Sequence, residues 1–319
     1  MKYGLFSGVL WGLDTVVLGI ALSMSPYIGT AEAIAFAAIA SSFLHDAGCA
    51  LWLLVYMGAK KRLGDTLKAL KTKSGLIVVL GALLGGPIGM TGYVIAINNI
   101  GAAYTAIISA FYPALGAFLS FVLLKEKMSA KQIAALVVAL VGVMAMGWIS
   151  AGDSQMGNAA LGFGGAILAV IGWGSEAVLC AWGMKDDAVD NETALQIRET
   201  TSGLVYAAVV VPLFGAWGFT ASAIPSGATG IVMLSALAGT ASYLFYYKGI
   251  SAIGAAKAMA LNISYSAWAV VFGFVLQGTV PSSATVFFCI LILAGTVLAA
   301  SDWNELFGRG QTAERGFPS

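Results

Sequence analysis

Residues 101–129 read GAAYTAIISAFYPALGAFLSFVLLKEKMS, and residues 254–282 read GAAKAMALNISYSAWAVVFGFVLQGTVPS. The two stretches stand in register at an offset of 153 positions, and outward from them the register runs ungapped over Tyr93–Gly142 and Tyr246–Gly295. Tyr93 meets Tyr246, Gly101-Ala102-Ala103 meets Gly254-Ala255-Ala256, and Tyr112 meets Tyr265. Phe121-Val122-Leu123 meets Phe274-Val275-Leu276, Ser129 meets Ser282, and Gly142 meets Gly295. Apolar segments often match by chance, because few residue types are in play. A register held over fifty positions, with glycines and tyrosines in step, points to an internal duplication. Such a repeat sets architecture before any short motif does.

Composition sets the class. Of 319 residues, 59% are hydrophobic and 10% charged, and the mean hydropathy is +0.90. A soluble domain carries about 25% charged residues, so this chain cannot cover a water-facing surface and reads as an all-α polytopic membrane protein. A net charge of +1 gives no sign of a nucleic-acid partner; the bilayer itself is the expected surrounding. Cys49, Cys180 and Cys289 each sit inside an apolar run, which supports neither a disulfide framework nor a metal set. No cofactor is expected. The run from Gly4 to Ser23 after Lys2 is too long for a signal-peptide core and carries Asp14, so it reads as a retained first helix.

A spanning helix needs about 20 apolar residues. Ten segments qualify, near 4–24, 32–57, 75–97, 102–124, 131–149, 160–184, 194–217, 228–248, 255–276 and 284–301. They fall into two five-helix halves, 1–150 and 155–302, followed by a polar tail at 303–319. Lysines and arginines crowd alternate connections: Lys60 to Lys73 after segment 2, Lys125 to Lys131 after segment 4, Lys185 after segment 6, Lys248 and Lys257 after segment 8. Connections near Pro26, Asn99, Asp153, Pro225 and Pro281 carry none. Since cationic loops stay cytoplasmic, this pattern requires ten helices with both termini in the cytoplasm. Arg198, early in segment 7, is placed near that same edge. An odd number of helices per half makes the two repeats inverted, as in many secondary transporters.

Polar residues at membrane depth mark candidate sites. Trp11-Gly12-Leu13-Asp14 in segment 1 and Trp173-Gly174-Ser175-Glu176 in segment 6 match at an offset of 162, with the return to 153 assigned to the connection after segment 7. Each half thus sets a tryptophan and a carboxylate three residues apart on one helix face. The acids either contact a cationic substrate group or carry a proton, or they are hydrogen-bonded packing elements. Segments 4 and 9 carry a second matched face, Ser109, Tyr112, Gly116 and Ser120 against Asn262, Tyr265, Ala269 and Gly273; it suits a partly wet wall or a small-residue packing seam. Tyr93 and Tyr246 are candidates for an aromatic wall or for interface anchors. Pro113 is expected to kink segment 4, and Gly85-Gly86-Pro87 interrupts segment 3, with Gly239 matching Gly86. His45-Asp46 in segment 2 reads as a structural pair or part of a proton path, with no polar echo in segment 7.

Two tandem five-helix units, each entering its fourth helix through Gly-Ala-Ala, resemble the drug/metabolite transporter superfamily, EamA type. In the first copy Pro113, then Glu126, Met128-Ser129 and a helix containing Gly142 resemble the family pattern. The second copy departs from it, with Ser266 and Thr279 in place of the proline and the glutamate. The resemblance implies a transporter of small metabolites. Overall likeness to amino-acid exporters of the YddG type implies aromatic and other neutral amino acids.

The resulting expectation is a secondary transporter in the inner membrane, not an enzyme. It exports small metabolites, amino acids first, around a cavity lined by helices 1, 3, 4, 6, 8 and 9, with helices 5 and 10 peripheral. Proton coupling stays open. The substrate-binding set is Trp11, Asp14, Tyr93, Ser109, Tyr112, Trp173, Glu176, Tyr246, Asn262 and Tyr265, with no catalytic or metal-binding residues. A single histidine excludes an HExxH zinc site, and no phosphate-binding loop points to a pump.

Overall fold

The structure is a computed structural model and describes residues 1–149, 157–186 and 188–303. The connection at Asp153, and the tail beyond Trp303 with Arg309 and Arg315, lie outside the described residues. Among the described residues, all regular structure is helical. We label the principal helices α1 (Lys2–Leu22), α2 (Ala31–Ala59), α3 (Lys73–Gly101), α4 (Tyr104–Leu124), α5 (Ala130–Ile149), α6 (Ala159–Gly183), α7 (Asn191–Val205), α8 (Gly227–Ile253), α9 (Ala255–Gln277) and α10 (Ser283–Ala300).

Nine of them, all but α7, are long and apolar enough to cross a membrane. Local chemistry starts several. The hydroxyls of Thr30, Ser226 and Ser282, the amide of Asn158 and the carboxylate of Asp190 accept from first-turn N–H groups, satisfying donors a helix start leaves open. Helix α7 differs from the expected apolar segment at 194–217. It continues through a π-helical turn, Tyr206–Val210, into Val211–Leu213, and its polar residues include Glu192, Arg198 and Glu199. Every side chain from Thr193 to Glu199 is buried. Protein rather than lipid surrounds this stretch, which is why apolar length alone does not identify it.

The packing is symmetric between the halves. Helix α1 packs along α8 as α6 packs along α3, and α1 meets α9 as α6 meets α4; α2 lies on α7, and α5 on α10. Exchanging the first five helices for the last five maps this set of pairs onto itself. Small residues let the backbones approach: a Cβ at Gly12 would lie 2.7 Å from that of Trp268, and one at Gly165 would lie 2.5 Å from the Gly92 carbonyl oxygen.

Several helices are irregular where the sequence hints at it. Around Pro87, α3 takes a π-helical form from Leu84 to Met90, whereas α8, which carries the matching Gly239, is continuous. Helix α4 is interrupted between Ser109 and Tyr112, and α9 between Asn262 and Tyr265. Pro113 has no N–H for the Ser109 carbonyl, which accounts for the first break. The second occurs at the matched place with Ser266 there, so proline is not its cause. The Gly-Ala-Ala motifs lie at the α3–α4 and α8–α9 junctions, where Gly101 and Gly254 have φ of 80° and 87°. Glycine takes such backbone angles without the steric cost a Cβ would add.

Candidate functional site

The breaks in α4 and α9 face one cavity of about 710 Å³, a size suited to a small metabolite. Tyr93, Ser109, Tyr112, Trp173 and Tyr265 line it, and it extends to the connection at Thr279–Ser282. Among the described residues that line it, none is Asp, Glu, Lys or Arg. Trp173 organises the wall: its ring lies 5.1 Å from that of Tyr93 and edge-on to Tyr112 at 5.9 Å. Across the cavity, Tyr265 meets Trp11 at 6.4 Å.

Three further candidates stand behind this wall. The Tyr112 hydroxyl donates to Asn262 Oδ1 at 3.4 Å, and Asn262 Nδ2 donates to Ser7 Oγ at 2.7 Å. Asn262 therefore braces α9 against α1. Trp11 packs edge-on against Tyr243 at 4.7 Å, and Tyr246 lies within a cluster with Tyr243 and Tyr247. The contributing helices also differ from the expectation. Helix α5 supplies Val143, Met146 and Gly147, and α10 supplies Thr285, whereas α8 supplies nothing to the lining. A uniformly aliphatic helix reads the same whether it meets lipid or a cavity, so the sequence does not distinguish the two.

Asp14 and Glu176 do not line the cavity. They belong to a buried polar chain running across α1, α2, α6, α7 and α8. Asp14 receives the Ser235 hydroxyl and contacts His45 Nε2 at 3.1 Å. His45 Nδ1 lies 3.6 Å from Asp46, which accepts from Ser202 at 2.5 Å and lies 3.6 Å from Arg198. Arg198 donates to Glu176 at 2.7 Å and to Glu199 at 2.8 Å, with its guanidinium 4.8 Å from the centre of the Tyr243 ring. Among these residues Arg198 is 4% exposed and Glu199 is 0% exposed. Arg198 is thus a buried ion-pair partner, contrary to its expected place at the membrane edge.

The chain of contacts has a repeat logic that the sequence reading missed. In each half the acid of the first helix pairs with a base of the second, Asp14 with His45 and Glu176 with Arg198. His45-Asp46 and Arg198-Glu199 lie 153 positions apart, the offset of the long repeat. The polar echo in segment 7 exists, and by this pairing the change of offset falls between the first and second helices of each half. Glycines make room for the acids. A Cβ at Gly85 would lie 1.7 Å from Glu176 Oε2, and one at Gly239 would lie 3.0 Å from Asp14 Oδ2.

Outside the membrane-spanning segments, Arg62 ties the end of α2 to the start of α7. It donates to Glu192 at 2.6 Å, to Asp65 at 2.9 Å and to Asp190, while Lys60 meets Glu192 at 2.7 Å. Burial pushes the Asp190 carboxyl up, but hydrogen bonds from Arg62 and from Thr193 outweigh this, and it ends below its ordinary value. Among the described residues, no three His, Cys, Asp or Glu side chains are grouped as a metal site requires.

Comparison with known proteins places the whole arrangement. The model of the EamA-like transporter family matches residues 1–148 and 160–301. Protein LicB of Haemophilus influenzae is 29% identical over 219 residues, covering 69% of this chain and 73% of its own. A solved crystal structure, described only as that of a protein, superposes with a TM-score of 0.71 at 18% identity, covering 98% of both chains. At that identity the likeness shows the fold alone.

Proposed function

The chain belongs to the EamA-like transporter family, and on that premise we propose that it is a secondary transporter exporting neutral and aromatic amino acids across a bacterial inner membrane by alternating access. The observation carrying this reading is the cavity wall: four aromatic rings and several hydroxyls, with no charged side chain among the described residues. Rings favour apolar or aromatic side chains at about 0.5–1.5 kcal/mol beyond burial, and they attract an ammonium group at about 0.5–2 kcal/mol each. The hydroxyls of Ser109, Ser266 and Tyr112 donate to Ala106, Ile263 and Asn262, so a carboxylate would draw on the hydroxyls of Tyr93 and Tyr265 or displace one of these bonds. A second reading comes from the same wall. Without a cationic side chain for a carboxylate, it also suits organic ammonium compounds that lack one, as a broader metabolite or multidrug exporter of this fold would carry.

In this reading α7 is the tenth span, both termini are cytoplasmic, and the chain divides into inverted repeats at 1–150 and 155–302 with a tail at 303–319. The symmetric packing and the one-sided lysines and arginines support it. The cavity then opens to the outside, because it reaches the uncharged connection at Pro281.

A counterflow screen in proteoliposomes, run with and without a pH gradient, tests the substrate class and proton coupling together. Labelled phenylalanine, tryptophan or methionine should exchange and saturate. Exchange confined to ammonium compounds without a carboxylate selects the second reading. Exchange driven by phosphoenolpyruvate or triose phosphate, with none of these substrates active, refutes both.

A further inference from the structure

The two copies of the α4 and α9 C-terminal turn share a backbone, and among the side chains that differ one is a carboxylate present only in the first copy. Lys125 has φ 61° and ψ 24°, and the matched Gly278 has φ 69° and ψ 14°. The next N–H reaches back six residues in both, from Glu126 to the Ser120 carbonyl at 3.2 Å and from Thr279 to the Gly273 carbonyl at 3.3 Å. Only the first copy carries a carboxylate there. Its two oxygens cross to the other half and accept the Ala255 and Ala256 N–H groups at 3.0 and 3.1 Å. These are open donors at the positive end of α9. Gly254 completes the fit, since a Cβ there would lie 2.8 Å from the Glu126 carboxylate.

The matched place on the opposite face has the same junction, with Gly101 taking nearly the φ of Gly254. Thr279, however, is exposed and lacks the reach of a glutamate. That is also the face on which the cavity opens, with Thr279, Val280, Pro281 and Ser282 among its lining. We propose that Glu126 is a positioning residue for transport: it latches α4 to α9 on the Lys125 face, and the lack of a matching acid at Thr279 leaves the Pro281 face free to open. The repeat supplies two pseudo-equivalent gates, and one carboxylate biases the equilibrium between them. Two charge-assisted hydrogen bonds made in one state and absent in the other suffice for a bias of roughly tenfold. This inference rests on family membership and geometry, independent of which substrate the cavity takes.

Sided cysteine labelling tests it without a substrate. With Cys49, Cys180 and Cys289 replaced by alanine, Ser266→Cys reports from within the cavity to an impermeant maleimide applied to vesicles of either orientation. The latched protein should label faster from the Pro281 face. Glu126→Gln should shift the ratio roughly tenfold towards the Lys125 face. Thr279→Glu in the otherwise unchanged chain should slow labelling from the Pro281 face by a similar factor. The pair of substitutions together should reverse the original preference. A simple loss of helix capping would loosen the Lys125 face and leave the Thr279→Glu protein unchanged. A folded Glu126→Gln protein with an unaltered ratio overturns the proposal, and so does unaltered labelling of Thr279→Glu. Should Glu126→Gln not fold, Thr279→Glu decides alone.

Discussion

Arg198 donates from Nε to Oε1 of Glu176 at 2.7 Å, with side chains 4% and 11% exposed. Removing one member of a buried pair leaves the other charge uncompensated, at a cost of about 3–5 kcal/mol, whereas replacing both is far milder. Glu176→Gln and Arg198→Gln should each lower the melting temperature in detergent, Arg198→Gln the more because it also strips Glu199 and Asp46 of their cation, and the double variant should lose less than the two losses added. Asp14→Asn, which weakens the contact with His45, should likewise cost stability while sparing exchange by the folded fraction. Well-folded single variants with abolished exchange would instead place these acids in the transport step.

Gly85 should tolerate no side chain. Its substituent would overlap the Glu176 carboxylate, so Gly85→Ala must displace either α3 or the ion pair, at about 3 kcal/mol or more. Gly19 has no atom within 4 Å of an added Cβ, and Gly19→Ala should be neutral or stabilising by up to about 1 kcal/mol. Thermal unfolding of the two variants side by side checks the contrast.

The Arg62 cluster predicts an acid-sensitive contact between the halves. Asp190 titrates below its ordinary value when folded, so its contribution is fully present above that value. It is lost as pH falls through the lowered one. Because the partners are partly exposed, solvent screening limits Arg62→Ala to about 1 kcal/mol. The stability gap between the native and Arg62→Ala proteins should hold at neutral pH and vanish in strong acid. A gap that is unchanged at low pH would remove the ion pairs as its cause.

Ten spans with cytoplasmic termini require positions 66 and 128 to face the cytoplasm and positions 226 and 281 the outside. Cysteines introduced there should label from those sides only. Labelling of 226 from the cytoplasmic side would place α7 outside the set of spans.

The repeat was legible because Gly101 and Gly254 hold positive φ, and so resist replacement while aliphatic positions drift. The α4 break was legible through Pro113, but the α9 break was hidden, since Ser266 carries no backbone restriction. Asp14 and Glu176 stood out as polar residues in apolar runs, yet nothing local named their partners. Carrying the offset of 162 into segment 7 sets His45-Asp46 against Ala207-Ala208, while 153 sets them against Arg198-Glu199. The second register was the one with chemistry. Arg198 was misplaced because a charge near a helix start usually snorkels to the interface, and the three acids that hold it buried, Asp46, Glu176 and Glu199, are assembled around it only by tertiary packing.

The wall built on Trp173 is the most direct handle on transport through this cavity. Its ring touches Tyr93 and Tyr112 and faces the cavity, whereas Trp11 stands behind the lining. Counterflow of labelled phenylalanine should saturate in the native protein, and Trp173→Ala should raise its half-saturation concentration about 5- to 30-fold, equivalent to about 1–2 kcal/mol, with Trp11→Ala milder. Unchanged half-saturation in a folded Trp173→Ala protein, or flux that never saturates, would contradict binding at this site.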